Sequence, residues 1–427
     1  MIREAVVLAA GKGVRLYPFT LTRPKHLIPV AGAPLLEHLL RSLEGVGIER
    51  AVVVVHHHAE VIEEFLRQLS MNMEIVTCRQ SSPLGTAHAL QAAESYLCSE
   101  YFLAVYGDLA ILPQAFQLML SSFKPGMGAV LGAVEVPDVS QFGEVVHRDF
   151  RLVRIDEKPR EAKPGLINAG VYIFSQDIFK YIKETPLSPR EEYELTSSLE
   201  LMAKDHQVSV VVLDKSSWID VGRPWDILEA NEMYLKHLLK KQTVLGEIEE
   251  GATLKGPVYV GKGAVVRSGS YIEGPVWIGD GSDIGPNCYI RPYTYLGKKV
   301  RVGNACEIKD SILMDYTHVG HLSYVGDSVI GERCNLGAGT LVANLRFDDM
   351  PVKITVKGRK VSSGRRKLGV FLGDCVKTGI NVSFIPGAIV GPNSWIAPHT
   401  LVERDIPENT LVFMKGYSLE FKPLNPS

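Results

Sequence analysis

Aliphatic residues recur at every sixth position through the second half of the chain. Ten of them stand six apart without a miss: Leu254, Val260, Val266, Ile272, Ile278, Ile284, Ile290, Leu296, Val302 and Ile308. An α-helix repeats about every 3.6 residues and a β-strand about every two, so neither explains this period. A parallel β-helix does, because each flat face of its coil points one aliphatic side chain inward. With three hexads per turn, residues 18 apart should stack in inner columns, such as Leu254, Ile272, Ile290 and Ile308.

The repeat has three irregularities. Its stride shortens to five between Ile308 and Leu313 and between Val325 and Ile330, and it is absent from residues 344–369, which must leave the coil as a loop. Insertions in repeat proteins tend to lie on the binding face. The loop is basic, so it is either a solvated loop or a site for an anionic ligand. Its cations are Lys353, Lys357, Arg359, Lys360, Arg365, Arg366 and Lys367.

The first half of the chain alternates short apolar strands with amphipathic helices. The predicted strands are Val6–Ala9, Ala51–Val55, Glu74–Thr77 and Phe102–Tyr106, and the predicted helices are Leu35–Gly45, Glu60–Leu69 and Thr86–Tyr96. This alternation predicts an α/β fold with a mostly parallel sheet that binds ligands at the carboxyl ends of its strands. A further helix is predicted over Asp226–Gln242. We place the boundary near residue 245, so the predicted domains are 1–245 and 246–427.

Composition narrows the class of protein. The net charge of −2 over 427 residues argues against broad binding to nucleic acid. No apolar run reaches membrane-spanning length, and the amino terminus has no cleavage pattern of a signal peptide. The six cysteines are scattered without a CxxC pair. We therefore expect reduced, buried thiols in a cytoplasmic protein that binds neither nucleic acid nor a membrane.

A glycine-rich turn follows the first predicted strand. Gly11 and Gly13 are followed by Arg15, and Lys25 lies twelve residues beyond Gly13. Glycine after a strand lets backbone N–H groups approach a phosphate, and the two cations could neutralise it. The third glycine of a dinucleotide fingerprint and the Gly-Lys-Ser/Thr of a Walker loop are both missing. On these residues alone, an ordinary turn beside a solvated lysine is as plausible as a triphosphate site.

Two aspartates strengthen the case for a phosphate site. Asp108 directly follows the predicted strand Phe102–Tyr106, and Asp220 follows an apolar stretch, Val208–Leu213. A single aspartate in such a place is usually a turn residue. Two carboxylates leave coordination positions free for water and phosphate oxygens, which suits Mg²⁺.

Seven short segments, taken together and in order, resemble the sugar-1-phosphate nucleotidylyltransferases. They cover about the first 230 residues and run Leu8-Ala9-Ala10-Gly11-Lys12-Gly13-Val14-Arg15, Pro24-Lys25, Leu84-Gly85-Thr86-Ala87, Gly107-Asp108, Glu157-Lys158-Pro159, Asn168-Ala169-Gly170 and Trp218-Ile219-Asp220-Val221-Gly222. The resemblance implies a Rossmann-like nucleotidyltransferase domain that uses Mg²⁺ and either UTP or dTTP.

The same resemblance implies roles for single residues. Lys25 and Arg15 would act at the α-phosphate, and Asp108 and Asp220 would hold the magnesium. The nucleotide would be bound by Leu8, Ala10, Gly11, Gly13, Gln80, Gly85 and Thr86, and the sugar phosphate by Gly143, Glu157 and Asn168.

The coil carries motifs beyond its repeat. These are Gly320-His321-Leu322-Ser323-Tyr324, Asn335-Leu336-Gly337-Ala338-Gly339-Thr340 and Asn344. A histidine on a regular coil is usually a surface or packing residue. The segment resembles the acetyltransferase half of the bifunctional enzymes that make UDP-N-acetylglucosamine, in their archaeal form. This implies a left-handed β-helix built of hexapeptide repeats, a homotrimer, and acetyl-CoA as a substrate.

By that resemblance His321 is the general base, and the acetyl-acceptor residues are Arg291, Lys309, Tyr324, Asn335 and Asn344. The chain departs from the bacterial pattern, in which a tyrosine follows the asparagine that matches Asn344. Here the residue is Leu345, and Lys353 could replace the missing contact.

Three interpretations remain open from the sequence. The first is a bifunctional enzyme that acetylates glucosamine-1-phosphate and transfers a uridylyl group from UTP to N-acetylglucosamine-1-phosphate. The second is a UDP- or dTDP-glucose pyrophosphorylase whose coil only assembles or regulates it. The third is a non-catalytic assembly subunit. A separate triplet, His56-His57-His58, is predicted to be a strand-to-helix turn and not a metal site, because adjacent side chains do not converge.

Overall fold

The computed structural model describes residues 2–416. They form two compact units. The first unit contains residues up to Leu16 and Thr20–His237, and the second contains Tyr17–Phe19 and the chain from Leu238 onward.

The first unit alternates strands and helices, as predicted. Its strands are β1 Glu4–Ala9, β2 Pro29–Val30, β3 Ala33–Pro34, β4 Arg50–Val55, β5 Glu74–Arg79, β6 Tyr101–Tyr106, β7 Leu109–Ile111, β8 Ala129–Val136, β9 Gly143–Arg148, β10 Arg151–Glu157, β11 Gly165–Ser175, β12 Val208–Val212 and β13 Trp218–Asp220. Its α-helices are α1 Leu35–Glu44, α2 Ala59–Gln68, α3 Thr86–Gln91, α4 Pro113–Ser122, α5 Ile178–Glu184, α6 Leu195–Asp205 and α7 Asp226–Leu238, which ends at the division between the units. Short 3₁₀ turns occupy Val14–Leu16, Phe19–Leu21, Lys25–Leu27, Glu94–Tyr96 and Lys215–Ser217.

Nine of the strands form one sheet in the order β5-β4-β1-β6-β11-β8-β12-β10-β9. The half built from β5, β4, β1 and β6 is parallel. Helices α1, α2 and α3 lie between its successive strands and return the chain to the start of the next strand. The long strand β11 then runs antiparallel to both β6 and β8, so the sheet is mixed beyond β6. Buried aliphatic side chains alternate between the two sides of the sheet, with Val7 and Val53 in one core and Val6 and Val52 in the other.

Two predicted helices are shorter in the structure. The helix expected over Thr86–Tyr96 ends at Gln91, because the backbone then tightens to a three-residue spacing, as in the bond from Ala93 N to Leu90 O. The helix expected over Asp226–Gln242 ends at Leu238. The chain must be extended by Thr243, which pairs with Tyr259 on the first rung of the coil.

The second unit is a coil with three flat faces, each a parallel sheet. The first face contains Thr243–Val244, Val258–Val260, Val276–Ile278, Thr294–Leu296, Ile312–Leu313, Val329–Ile330, Phe371–Leu372 and Ile389–Val390. The second contains Glu247–Ile248, Val265–Val266, Asp283–Ile284, Arg301–Val302, His318–Val319, Asn335–Leu336, Lys377–Thr378, Trp395–Ile396 and Leu411–Val412. The third contains Thr253–Lys255, Tyr271–Glu273, Tyr289–Ile290, Glu307–Lys309, Tyr324–Gly326, Leu341–Val342, Ser383–Phe384 and Leu401–Val402.

The stacking of the coil confirms the predicted columns. Leu254 pairs with Ile272, Ile272 with Ile290, and Ile290 with Ile308. Where the stride shortens to five, the register shortens with it, so that Ile308 pairs with Val325. Several corner residues have left-handed backbone, including Asn287 and Asn381. The architecture is a left-handed parallel β-helix, as predicted.

The interruption at residues 344–369 contains a hairpin, Lys353–Val356 paired with Arg359–Ser362.

All six cysteines are free, and four of them are buried, as predicted. Cys98 is exposed and Cys375 is half-buried, so the prediction of burial was wrong for these two. Among residues 2–416 there is no helix of sufficient length and hydrophobicity to span a bilayer.

Candidate active sites

In the first unit, the glycine-rich turn wraps around Lys25. A Cβ on Gly11 would lie 3.1 Å from Lys25 Nζ, and one on Gly13 would lie 2.9 Å from Lys25 Cβ. The ammonium is ion-paired with Asp108. Asp108 is brought there because β1 and β6 are neighbours, and Gly107 N donates to Leu8 O at 2.9 Å. The structure therefore assembles the predicted turn, lysine and first carboxylate at the carboxyl ends of adjacent strands.

The second carboxylate reaches the same place by a short ladder. Strand β13 pairs antiparallel with β7, placing Asp220 opposite Leu109, and Val221 N donates to Asp108 O at 3.1 Å. Arg15 reaches this ladder as well, since a Cβ on Gly222 would lie 2.8 Å from its guanidinium.

The electrostatics of the two carboxylates differ. Burial alone would raise the pKa of Asp108, but the adjacent Lys25 ammonium brings the pKa below its usual value. Burial raises the pKa of Asp220, and the nearby negative charge of Asp108 raises it further. Asp108 and Asp220 are half-buried. Two such carboxylates that repel each other gain from a divalent cation between them. Asp108 and Asp220 therefore fit a Mg²⁺ ion that takes its remaining ligands from water and phosphate.

The predicted base-reading residues lie on the other side of the turn. Gln80 is buried, and its Nε2 lies 3.1 Å from Gly85 O and 3.0 Å from His88 Nδ1. Gly85 has a φ of +108°, and a Cβ there would lie 2.5 Å from the carbonyl oxygen of Tyr193. Only glycine fits position 85, because the backbone of another segment passes directly against it. The neighbouring Thr86 accepts a hydrogen bond from Leu195 N at 3.0 Å.

Two tyrosines support Asn168: Tyr172, which is buried, and Tyr106, which is half-buried. The amide of Asn168 lies 2.7 Å from the hydroxyl of Tyr172, which lies 3.0 Å from the hydroxyl of Tyr106. Burial raises the pKa of Tyr106 to about 12 and raises that of Tyr172 as well, so both phenols stay neutral. Tyr106 directly precedes Gly107 and Asp108, which is a signal that the sequence interpretation overlooked.

Glu157 is held beside Gly143. A Cβ on Gly143 would lie 3.1 Å from Glu157 Oε1. The carboxylate accepts hydrogen bonds from Thr196 at 3.1 Å and from Arg190 at 3.2 Å. Thr196 and Arg190 had no motif to mark them. The three predicted sugar-phosphate residues thus belong to two hydrogen-bonded groups, one around Glu157 and one around Asn168.

The histidine triplet is a turn, as predicted. Strand β4 ends at Val55, and His58 has left-handed backbone just before α2. His56 Nδ1 lies 2.8 Å from Gln80 O, which places this ring beside the residue expected to read the base. Within residues 2–416, no cluster of three or more His, Cys, Asp or Glu side chains could hold a metal.

In the coil, His321 occupies a corner between the second and third faces. Its carbonyl accepts hydrogen bonds from Gly339 N at 2.8 Å and from Ser323 Oγ at 3.0 Å, so its backbone is fixed. The side chain is exposed, and a Cβ on Gly303 would lie 3.2 Å from His321 Nδ1. Glycine at that neighbouring corner leaves space next to the imidazole.

A polar cluster lies on successive rungs of the third face. Lys309 Nζ donates to both carboxylate oxygens of Asp327 at 2.9 and 3.0 Å. Asn344 Nδ2 donates to Asp327 at 2.5 Å and to the hydroxyl of Tyr324 at 3.0 Å. Burial raises the pKa of Tyr324, and the Asp327 carboxylate adds to the effect. The structure therefore brings three predicted acceptor residues together around an aspartate that was not predicted.

The other three predicted acceptor residues lie outside this cluster, on different parts of the coil and its loop. Arg291 follows the third-face strand two rungs before Tyr324 and is ion-paired with Glu307 at 2.8 Å. Asn335 lies on the second face, in a groove of about 450 Å³ that also contains Lys377 and Trp395. Lys353 is exposed on the hairpin. A different cation of the loop, Arg365, donates to Asp310 at 2.9 Å, directly after Lys309 in the chain.

Comparison with known proteins matches both halves of the chain. Residues 4–237 match the family model described as nucleotidyl transferase, and residues 272–377 match one described as the GMPPB C-terminal domain. A bifunctional protein GlmU of Methanocaldococcus jannaschii is 44% identical over 96% of this chain and 98% of its own length. A bifunctional sugar-1-phosphate nucleotidylyltransferase/acetyltransferase of Sulfurisphaera tokodaii is 42% identical over 94% and 98%. The chain belongs to this bifunctional family.

A solved structure of UDP-glucose pyrophosphorylase complexed with UDP-glucose supports the fold of the first unit. It has 23% identity, a TM-score of 0.50, and covers 56% of this chain and 100% of its own. Membership of the bifunctional family makes the chain an enzyme with sugar-1-phosphate nucleotidylyltransferase and acetyltransferase activities, and the interpretation as a non-catalytic subunit was wrong.

Proposed function

We propose that this protein makes UDP-N-acetylglucosamine in two steps. It acetylates glucosamine-1-phosphate with acetyl-CoA, and it then transfers a uridylyl group from UTP to N-acetylglucosamine-1-phosphate. The observation that carries the proposal is the third-face cluster of Lys309, Asp327, Asn344 and Tyr324, which a coil used only for assembly would not need. dTTP is the alternative nucleotide, because the amide of Gln80 could hydrogen-bond the polar edge that uracil and thymine share.

In nucleotidyl transfer, a phosphate oxygen of the sugar attacks the α-phosphorus of UTP, and the bond to the β-phosphate breaks. Pyrophosphate leaves. Lys25 and Arg15 offset the charge that develops on the phosphate oxygens, and the backbone of Gly11 and Gly13 approaches them closely. Mg²⁺ held at Asp108 and Asp220 would supply further charge neutralisation there. No side chain forms a covalent intermediate, so positioning supplies most of the rate.

In acetyl transfer, the amine of the sugar attacks the thioester carbonyl and CoA leaves as the thiol. The amine must lose a proton as the C–N bond forms. The exposed imidazole of His321 is suited to accept it, because histidine is the side chain that most often acts as a general base. Lys309 and Arg291 lie on rungs close to Tyr324 and supply positive charge for the sugar phosphate.

The second-face groove is our candidate for the acetyl-CoA site. Asn335, Lys377 and Trp395 occupy three successive rungs, so the groove runs along the coil axis. Lys377 Nζ lies 5.4 Å from the centre of the Trp395 ring, which is 55% exposed. An exposed indole next to a cation is suited to a ligand with both an aromatic base and phosphates.

We also propose that the coil assembles as a homotrimer. Apolar side chains remain exposed on its third face, at Tyr271, Leu341 and Leu401. Monomeric proteins rarely leave a large apolar patch uncovered, and these side chains lie on one face of the coil. A coil with three faces can close a ring of three copies through one repeated contact.

The experiment is a panel of sugar phosphates with UTP and dTTP, in which pyrophosphate release and CoA release are followed in parallel. Asp220→Asn should abolish pyrophosphate release and leave CoA release intact. His321→Ala should lower CoA release by about two or more orders of magnitude, the scale of a lost general base, and leave pyrophosphate release intact. Absence of CoA release from wild type with both glucosamine-1-phosphate and galactosamine-1-phosphate would instead support a glucose pyrophosphorylase with a structural coil.

A further inference from the structure

Asp327 is the centre of the third-face cluster and is almost completely buried, with 2% of its surface exposed. One carboxylate holds two side chains from neighbouring rungs, the ammonium of Lys309 and the amide of Asn344. Through Asn344 the hydrogen-bonded chain continues to the hydroxyl of Tyr324.

The backbone of Asp327 also bonds the point at which the inserted loop returns to the coil. The loop leaves the coil after Asn344 and returns at Gly369, and Gly369 N donates to Asp327 O at 2.8 Å. Next to it, Leu368 N donates to Asn344 O at 2.9 Å, and Asp327 N donates to Lys309 O at 2.9 Å. Asp327 therefore fixes the loop base and the cluster to the same rung.

Packing leaves the cluster little freedom. A Cβ on Gly326 would collide with the hydroxyl of Tyr324 and would lie 2.9 Å from Asn344 Nδ2. The tyrosine ring therefore lies directly over the glycine that precedes Asp327. Small displacements of the carboxylate would be passed on to these side chains, because close-packed groups cannot absorb them.

Exposure separates the aspartate from the residues it holds. The side chain of Asp327 is 3% exposed, whereas that of Lys309 is 19% exposed. A lysine ammonium has three N–H donors, and with two directed at Asp327 one remains for a ligand. Asp327 thus cannot contact a substrate to any extent, but Lys309 can.

We propose that Asp327 is a positioning residue of the acetyl-acceptor site, which sets the affinity for the amino-sugar phosphate by holding Lys309 and Asn344 in place. The inference rests on the proposed acetyl transfer, because that reaction assigns a substrate to this cluster. It identifies the residue through which the coil, the loop base and the acceptor contacts are joined.

The test uses the full-length protein and the variant Asp327→Asn, which keeps the shape of the side chain and removes its charge. We expect the KM for glucosamine-1-phosphate to rise about ten-fold to a hundred-fold, the scale of one charge-assisted hydrogen bond. The KM for acetyl-CoA and the rate of pyrophosphate release should stay within two-fold of wild type. Asp315→Asn is the matched control, because Asp315 is another corner carboxylate, which accepts a hydrogen bond from Lys298 N at 2.8 Å.

A double-variant cycle separates positioning from a general loss of structure. If Asp327 acts through Lys309, then Asp327→Asn combined with Lys309→Gln should be no worse than the worse of the two single variants. The double variant also leaves no buried unpaired charge, so it gives a result even if Asp327→Asn does not fold. Effects that multiply would overturn the proposal.

Other outcomes are also decisive. A fall in the KM for glucosamine-1-phosphate in Asp327→Asn would mean that the carboxylate competes with the substrate for Lys309, and would overturn the inference. An equal rise in both KM values, or the same change in Asp315→Asn, would do so too. If wild type releases no CoA with any amino-sugar phosphate, the proposed acetyl transfer fails and the inference fails with it. If wild type releases CoA and Asp327→Asn has the same KM values as wild type, the acetyl transfer stands and this inference alone is refuted.

Discussion

His26 should make the first unit sensitive to acid, and replacing it should remove that sensitivity. The ring is 0% exposed, and neither of its nitrogens has a hydrogen-bond partner among the described residues. Burial, together with the charge of the adjacent Lys25, lowers the pKa of His26 to about 3. An unfolded histidine has a pKa of about 6.5. Between these values the unfolded state binds more protons than the folded state, so the free energy of unfolding rises with pH.

The size of the effect follows from the two pKa values. The contribution of His26 is fully present above about pH 6.5 and is lost as the pH falls toward 3. Between pH 7 and pH 5 the loss amounts to about 2 kcal/mol, from about 1.4 kcal/mol per unit below pH 6.5. His26→Met keeps a similar volume and carries no titrating group. Its unfolding free energy should therefore fall by about 2 kcal/mol less than that of wild type over this range.

Urea unfolding at pH 5 and pH 7 measures the difference. Trp277→Phe and Trp395→Phe in both proteins leave Trp218 and Trp225 as the fluorescent reporters, and both lie in the first unit. At pH 7 the Met variant should be no less stable than wild type, because it removes two polar atoms that are buried without partners. Parallel losses in wild type and variant between the two pH values would refute the reasoning.

Further predictions concern single positions and the assembly. Gly85→Ala should lower pyrophosphate release at least about ten-fold, because the added Cβ would lie 2.5 Å from a backbone oxygen. Gly47→Ala is the control, because Gly47 also has a positive φ, +89°, but nothing lies within 4 Å of its added Cβ. Trp395→Ala should raise the KM for acetyl-CoA by about ten-fold, the scale of one stacking contact, without changing that for the sugar phosphate. Light scattering should give three times the chain mass of 47.0 kDa; a stable monomer would contradict the proposed trimer.

The repeat shows how much of the fold is local. A period of six is written in consecutive residues, and each hexad meets the one a turn away through the same contact, as Ile272 meets Ile290. The short connections of the coil leave little freedom in how successive rungs stack. For this reason the columns, the shortened register at Val325 and the departure of the loop could all be predicted. The alternation of the first unit likewise predicted its parallel half.

The chemistry depends on contacts that no local pattern reveals. Asp108 and Asp220 are far apart in sequence and meet only through the pairing of β7 with β13. Their motifs could be recognised separately, but the opposite directions of their pKa shifts depend on burial and on Lys25. The mixed half of the sheet was missed for the same reason, because β11 finds partners on both sides that lie well before it in the chain.

Asp327 is the clearest example of a residue whose role depends on the tertiary structure. In the sequence it is one of many aspartates, directly after a glycine and with no motif assigned to it. Its importance arises because the coil stacks Lys309 on one rung and Asn344 on another, with the carboxylate buried between them. The sequence alone therefore determined the coil, the α/β alternation and the types of residue in each site, since these follow from short-range periodicity and motifs. Only the tertiary structure decided which charges are paired and buried, because charge pairing and desolvation depend on segments brought together by the fold.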